Sequence, residues 1–180
     1  MLGRRSIIGR VVVTSGPIIQ RPNEVENGSV TRPLLADFVA SVGETPGVLP
    51  DGQVLGSSKT DWTRVFDLIK QRGWDAAWNG DGRAVVLEDL DDPSREGESF
   101  ALRPIPAVQI NCFPGDEEVL FDIDLREFNN QDALDALTAF MADLGSVLSM
   151  PVVISSEGDY ADVIVRYDPD SREFSLRESS

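Results

Sequence analysis

Histidine is absent from all 180 residues, and Cys112 is the sole cysteine. The first absence removes Ser-His-Asp and Cys-His nucleophilic catalysis, His-ligated zinc, and the side chain most used for proton transfer near neutral pH. The second removes an intramolecular disulfide and any four-cysteine zinc or iron–sulfur site, and it fits a reducing, cytoplasmic address. Basic residues are scarce: 16 Lys and Arg stand against 31 Asp and Glu, a formal net charge of −15. No apolar run in the sequence approaches the ~18 residues that a membrane span requires. Neither a GxxxxGK[ST] phosphate loop nor a GxGxxG following a strand occurs. No cofactor is therefore expected.

The charge is unevenly spread. Residues 1–33 carry Arg4, Arg5, Arg10, Arg21 and Arg32 against Glu24 and Glu26, which leaves 11 basic and 29 acidic residues for the rest of the chain. A field of that sign repels phosphate backbones and anionic membranes, and it attracts basic proteins and divalent cations. Nucleic-acid binding through the folded body is thus not expected. Acidity also serves solubility alone. The opening MLGRRSIIGRVVV places arginines before a short apolar stretch, as an export signal does, but Arg10 interrupts it. It reads instead as an irregular or partly extended N-terminal arm over residues 1–30, with Ile7–Ile8 and Val11–Val13 as one strand. Residues 31–180 read as a single α+β domain.

Within that domain Pro33 and the spacing of Leu34, Leu35, Phe38, Val39 and Val42 predict a helix over residues 31–42. Residues 43–59, rich in Gly and Pro, read as a long loop. Trp62, Val65, Phe66 and Ile69 predict a second helix, capped by Thr60 or Asp61 and stopped at Gly73. The turn dipeptides Asn79–Gly80 and Asp81–Gly82 suggest a hairpin with arms at 74–78 and 83–88. The run DLDDPSREGE after it reads as a charged loop. Strands follow over 107–113 and 119–126. Asn129 or Asn130 then caps a long helix with the stripe Leu134, Leu137, Met141, Leu144 and Leu148. Gly145 inside this stripe marks a break or a close helix–sheet contact. Pro151 leads into a strand from Val152, and a hairpin over 162–167 and 173–176 closes the chain. Successive strands favour an α+β fold: a mostly antiparallel sheet with about three helices packed on one face.

With imidazole and thiol chemistry gone, carboxylates remain. In Phe121-Asp122-Ile123-Asp124-Leu125 the apolar residues alternate with aspartates, so on a strand Asp122 and Asp124 share one face with Glu118 and Arg126. Two carboxylates at this spacing could hold Mg²⁺ or Mn²⁺, and Asp122 and Asp124 are the only metal ligands the sequence suggests. The ordinary reading is the wet side of a half-exposed antiparallel strand, with Arg126 neutralising a neighbour. Glu88, Asp89, Asp91 and Asp92 lack the order of a calcium loop and read as a solvated segment. Cys112 reads as a small buried thiol.

Trp74 and Trp78 would share a strand face amid Asp75, Asp81 and Glu88. Such aromatic anchors in acidic surroundings suit a basic protein partner, although core packing against Trp62 and Phe66 is the ordinary alternative. Size and charge, not motif, place the chain beside immunity proteins of bacterial toxin systems and other stoichiometric inhibitors. The expectation is a non-enzymatic acidic binding module that meets a basic protein through Glu118, Asp122, Asp124 and Trp78, with no catalytic residues. The alternatives are a carboxylate-only, divalent-metal enzyme acting on a phosphorylated or nucleotide substrate, and a structural or assembly subunit. The oligomeric state is not legible.

Overall fold

Alternating burial in the strand segments requires one sheet face to meet a core, and a computed structural model describing residues 31–43, 49–115 and 117–178 shows how that is met. Among the described residues eight strands form one antiparallel sheet: β1 (Asp51–Val54), β2 (Asp75–Trp78), β3 (Phe100–Ile105), β4 (Val108–Cys112), β5 (Leu120–Ile123), β6 (Val152–Ser156), β7 (Asp159–Asp168) and β8 (Glu173–Leu176). Their spatial order is β2-β3-β4-β5-β1-β6-β7-β8. Three α-helices accompany them: α1 (Leu35–Val42), α2 (Trp62–Arg72) and α3 (Gln131–Leu148). The expected α+β class with an antiparallel sheet is the observed one. Residues 1–30, where a strand was expected, lie outside the described residues.

Two strand meanders, β2 to β5 and β6 to β8, are joined by α3. The strands β5 and β6 both run antiparallel to β1. They are therefore parallel to each other, with a gap one strand wide that β1 fills. The loop expected over residues 43–59 thus contains the central strand of the sheet. Its sequence, Asp-Gly-Gln-Val, hides it, because Gly and Asp are poor strand formers and only Val54 is β-branched. Gly52 is needed there for a steric reason. It stands opposite Phe121 of β5, and a Cβ at Gly52 would fall inside the Phe121 ring. That ring in turn meets Phe140 of α3 edge-on, with centroids 5.2 Å apart.

A second close approach seats the other end of α3. A Cβ at Gly145 would lie 2.7 Å from the Tyr167 ring on β7 and 3.1 Å from the Met150 carbonyl. Gly145 accordingly marks a helix–sheet contact and not a break, since α3 runs on to Leu148. Asn130 caps this helix, its side chain accepting from the Ala133 N–H at 2.9 Å. Beside α3, α2 contributes Trp62 and Phe66 to a cluster of edge-to-face rings with Phe100 and Trp78, centroids 5.6–6.3 Å apart.

Other departures from the sequence reading have local causes. The first helix begins at Leu35, not at 31, because Leu34 is extended and Thr31 bridges Glu173 on β8. The Gln131 side chain on α3 then accepts the Leu35 N–H at 2.9 Å. At its other end the Arg177 guanidinium donates to the carbonyls of Ser41 and Val42. β3 is hidden in the sequence because Pro104 argues against a central strand, and the β3–β4 register indeed shifts between Leu102 and Ile105. The second arm of the expected 74–88 hairpin shrinks to a single bridge, Ala77 to Ala84, and β2 takes β3 as its partner.

Replacing Gly52 by Ala should destabilise the protein by roughly 3 kcal/mol or more, because the Phe121 ring must move. A Gly52→Ala, Phe121→Leu double variant should be more stable than the sum of the two losses. Urea unfolding of the four proteins in a double-mutant cycle measures both effects.

Candidate functional site

The residues that alternate with the core set stand on the opposite sheet face. Register puts Ala101, Asn111, Asp122, Asp51 and Ser155 side by side on five consecutive strands. Two carboxylates, Asp122 of β5 and Asp51 of β1, are therefore direct cross-strand neighbours. The Ile123 N–H donates to the Pro50 carbonyl at 3.3 Å, which flanks the pair and makes it the non-hydrogen-bonded kind. In such pairs the side chains are closest, with Cβ atoms about 4.5–5.5 Å apart, and like charges there are destabilising.

Each aspartate has one oxygen held. Asn111 Nδ2 donates to Asp122 Oδ1 at 2.6 Å, and the Gly158 N–H donates to Asp51 Oδ2 at 2.8 Å. Among the described residues neither carboxylate forms an ion pair. A polar chain supports Asn111 from behind: Gln109 donates to its Oδ1 at 2.8 Å, and Arg103 donates to Gln109. Burial pushes the Asp122 carboxyl above its ordinary value; the Asn111 bond opposes this, while Asp51, Asp124 and Glu157 add to it by repulsion.

Asp124 behaves differently. The strand ends at Ile123, and Asp124 caps the 3₁₀ turn Leu125–Glu127, accepting from the Arg126 N–H at 3.0 Å. Arg126 also grips its carboxylate through Nε at 2.8 and 3.0 Å, which holds the Asp124 pKa below the usual range. The expected strand over 119–126 is thus shorter, and Asp124 is a neutralised cap at the end of the row. Glu118 is half-buried on the same face and accepts from the Gln53 side chain of β1. So the structure brings Glu118 and Asp122 onto one face and adds Asp51. Asp51 escaped sequence reasoning because its strand did. The only trace of it in the sequence is the alternation of Asp51 and Gln53 with Gly52 and Val54.

Neither protein-family models, nor curated proteins, nor solved structures match this chain. The face must be read from its own chemistry. Two carboxylates side by side, each with an oxygen that no other described residue holds, can take a guanidinium or ammonium group between them. Among the described residues, no three Asp, Glu, Cys or His side chains converge closely enough to hold a metal ion.

Trp78 lies elsewhere. It is 1% exposed and packed among Phe100, Phe66 and Trp62, so its ring offers nothing to a partner. Its indole N–H donates to Asp89 Oδ2 at 2.8 Å, and the Val86 N–H donates to the same oxygen at 3.1 Å. Arg83 pairs with the other oxygen. Asp89 is consequently 4% exposed, not part of a solvated loop. A cavity of about 340 Å³ beside it holds Arg95 stacked over Trp78 at 5.0 Å, but Arg95 is already bound to Asp81 and Glu98. Cys112 is buried, and desolvation drives its thiol far above the reactive range. No helix among the described residues is long and apolar enough to cross a membrane.

Asp89→Ala should cost roughly 2–4 kcal/mol in chemical denaturation, because it leaves the buried Trp78 indole N–H unmatched and frees the part-buried Val86 N–H. For Asp122 the sign is opposite. Its folded pKa lies above the unfolded value of about 3.9, so its contribution to stability is greatest in acid and is lost as pH rises through the folded pKa. Asp122→Asn, which can keep the bond from Asn111, should therefore raise the melting temperature at pH 7. That gain should vanish as the pH falls below about 4. A gain of equal size at every pH would show that ionisation is not its source.

Proposed function

We propose that the chain is a non-enzymatic binding module, of the immunity or inhibitor type, which receives a basic side chain of a protein partner on the polar sheet face at the half-exposed Asp51 and Asp122. The observation that supports this is the like-charge pair itself: two adjacent strand carboxylates without a counter-ion among the described residues, one of them desolvated, would weaken the free fold and be relieved by a bound cation. Glu118 extends the negative row, and Asp124 contributes less because Arg126 already neutralises it. The formal charge of −15 adds long-range attraction that speeds the encounter. The metal-enzyme alternative has less support, since two carboxylates fall short of a ligand set and no imidazole is available for proton transfer.

Deca-arginine serves as the test ligand, titrated calorimetrically at several salt concentrations. Asp51→Asn with Asp122→Asn should weaken binding roughly tenfold and flatten its salt dependence. The control Glu173→Gln with Glu178→Gln, which removes the same charge at the far edge, should change it less than about twofold. Equal losses in the two double variants would mean that net charge, not this face, attracts the ligand. Millimolar Mg²⁺ or Mn²⁺ should leave the melting temperature unchanged, whereas a rise abolished by Asp122→Asn would favour the metal reading.

A further inference from the structure

At the outer edge of β2, away from the acidic row, a groove of about 510 Å³ lies between α2 and residues 84–88. That volume is within the range of about 300–1,000 Å³ typical of ligand sites. Its floor is apolar, from Phe66, Ile69, Trp74 and Val85, and its lip carries Val86 and Leu87, which are 46% and 42% exposed. Its charged rim is Asp67, Asp75 and Glu88 against one Lys70, all four exposed. Trp74 is only half-buried, its ring tilted against Phe140 at 5.7 Å. This is where the chain does set an aromatic ring among acidic residues at its surface.

The backbone beside the groove is an open edge. The Trp78 N–H donates to the Arg83 carbonyl at 2.9 Å, and the Val85 N–H donates to the Ala76 carbonyl at 3.0 Å. These two bonds flank the Ala77–Ala84 bridge, so the N–H and C=O of Ala84 point away from β2. Neither is bonded among the described residues. Val86, two residues on, keeps an extended backbone (φ −131°, ψ 157°). The Val86 N–H is held by Asp89, so Ala84 is the unpaired residue of this edge, and a free backbone pair beside an apolar groove is where a sheet can begin to take up an added strand.

We infer that this edge binds an extended peptide segment of a protein partner in which apolar and basic residues alternate. The peptide backbone pairs with Ala84. Its apolar side chains enter the groove over Trp74, Val86 and Leu87, and its basic side chains meet Asp67, Asp75 and Glu88. Charge complementarity selects this occupant: a neutral apolar strand would leave three carboxylates uncompensated, and an acidic one would be repelled. The site involves neither Asp51 nor Asp122, so it stands or falls separately from the function proposed above.

The test uses the full chain and a fluorescein-labelled heptapeptide of alternating arginine and valine, with an arginine–serine heptapeptide of equal charge as control. Fluorescence anisotropy should show saturable binding of the first that is at least roughly tenfold tighter than that of the second. Val86→Lys with Leu87→Lys changes only exposed side chains. It should abolish this preference while leaving the melting temperature unaltered, and amide exchange at Ala84 should slow when the peptide is added to wild type. Asp51→Asn with Asp122→Asn should leave the preference intact. Equal affinity for the two peptides, or binding that survives the lysine substitutions, would overturn the proposal. So would a self-association in sedimentation that the lysine substitutions abolish, since the occupant would then be a second copy of the chain. Peptide binding seen only after removal of residues 1–30 would assign the groove to the chain's own arginine-bearing segment, and would overturn the proposal equally.

Discussion

The Phe121 ring occupying the place of a side chain at Gly52 is the contact on which the rest of the architecture depends. The crossover from β5 through α3 to β6 lays down two parallel strands with a gap between them, and a strand from elsewhere in the chain, antiparallel to both, fills it. β1 does so with a residue that has no side chain at the point where the Phe121 ring lies. Because Gly52 yields its space, the Phe121 ring turns under α3 and meets Phe140. Phe140 in turn touches Trp74, after the end of α2. Thus one hydrogen atom in place of a methyl group lets the central strand, the long helix and the α2 end share a core. Gly145 over Tyr167 repeats the device at the other end of the helix.

The same register dictates the opposite face. If Gly52 must lie across from Phe121, then Asp51 must lie across from Asp122, because side chains on adjacent strands alternate in step. A slip of one residue in β5 would bury Asp122 and expose Phe121, and a slip in β1 would bury Asp51, so the core enforces the juxtaposition. The geometry alone does not demand carboxylates there, however. Asn and Ser occupy the neighbouring places in the same cross-strand row, at Asn111 and Ser155, and either would avoid the repulsion. A pair of acids that weakens the free protein, held where the fold cannot separate them, is the kind of local conflict that functional surfaces carry.

Much of the fold could be read in the sequence where period and capping agree. α3, with its Asn130 cap and five-residue stripe, and the β7–β8 hairpin around residues 169–172 emerged close to their observed bounds. What escaped was set by tertiary contacts. β1 contains two residues that disfavour strands, and its justification lies about 70 residues away, in a ring. β3 carries a proline that only a register shift accommodates. Asp89 sat in a run of acids and gave no sign of burial, because its partners Trp78 and Arg83 reach it only after the chain has turned. At the candidate site, Asp122 and Glu118 were legible from alternation, Asp124 was assigned to a strand it terminates, and Asp51 was hidden with β1. Trp78 and Trp74 were indistinguishable by spacing. Burial separates them, placing the first in the core and the second in a groove.

The two proposed contact surfaces differ in what each could contribute to an association. The polar sheet face carries charge in a row of polar residues, so it would favour fast encounter and register over long residence. The groove has the opposite balance: apolar floor, half-buried indole and unpaired backbone, with a modest acidic rim. Residence times depend on desolvated anchors more than on rim charges, because charges that remain hydrated are released as readily as they are met. Between β1 and β2 lie four strand spacings, roughly 19 Å at about 4.8 Å each. A basic partner with two elements set that far apart could use both surfaces, the first to arrive and the second to stay. Tethering would then multiply two weak affinities without any further contact.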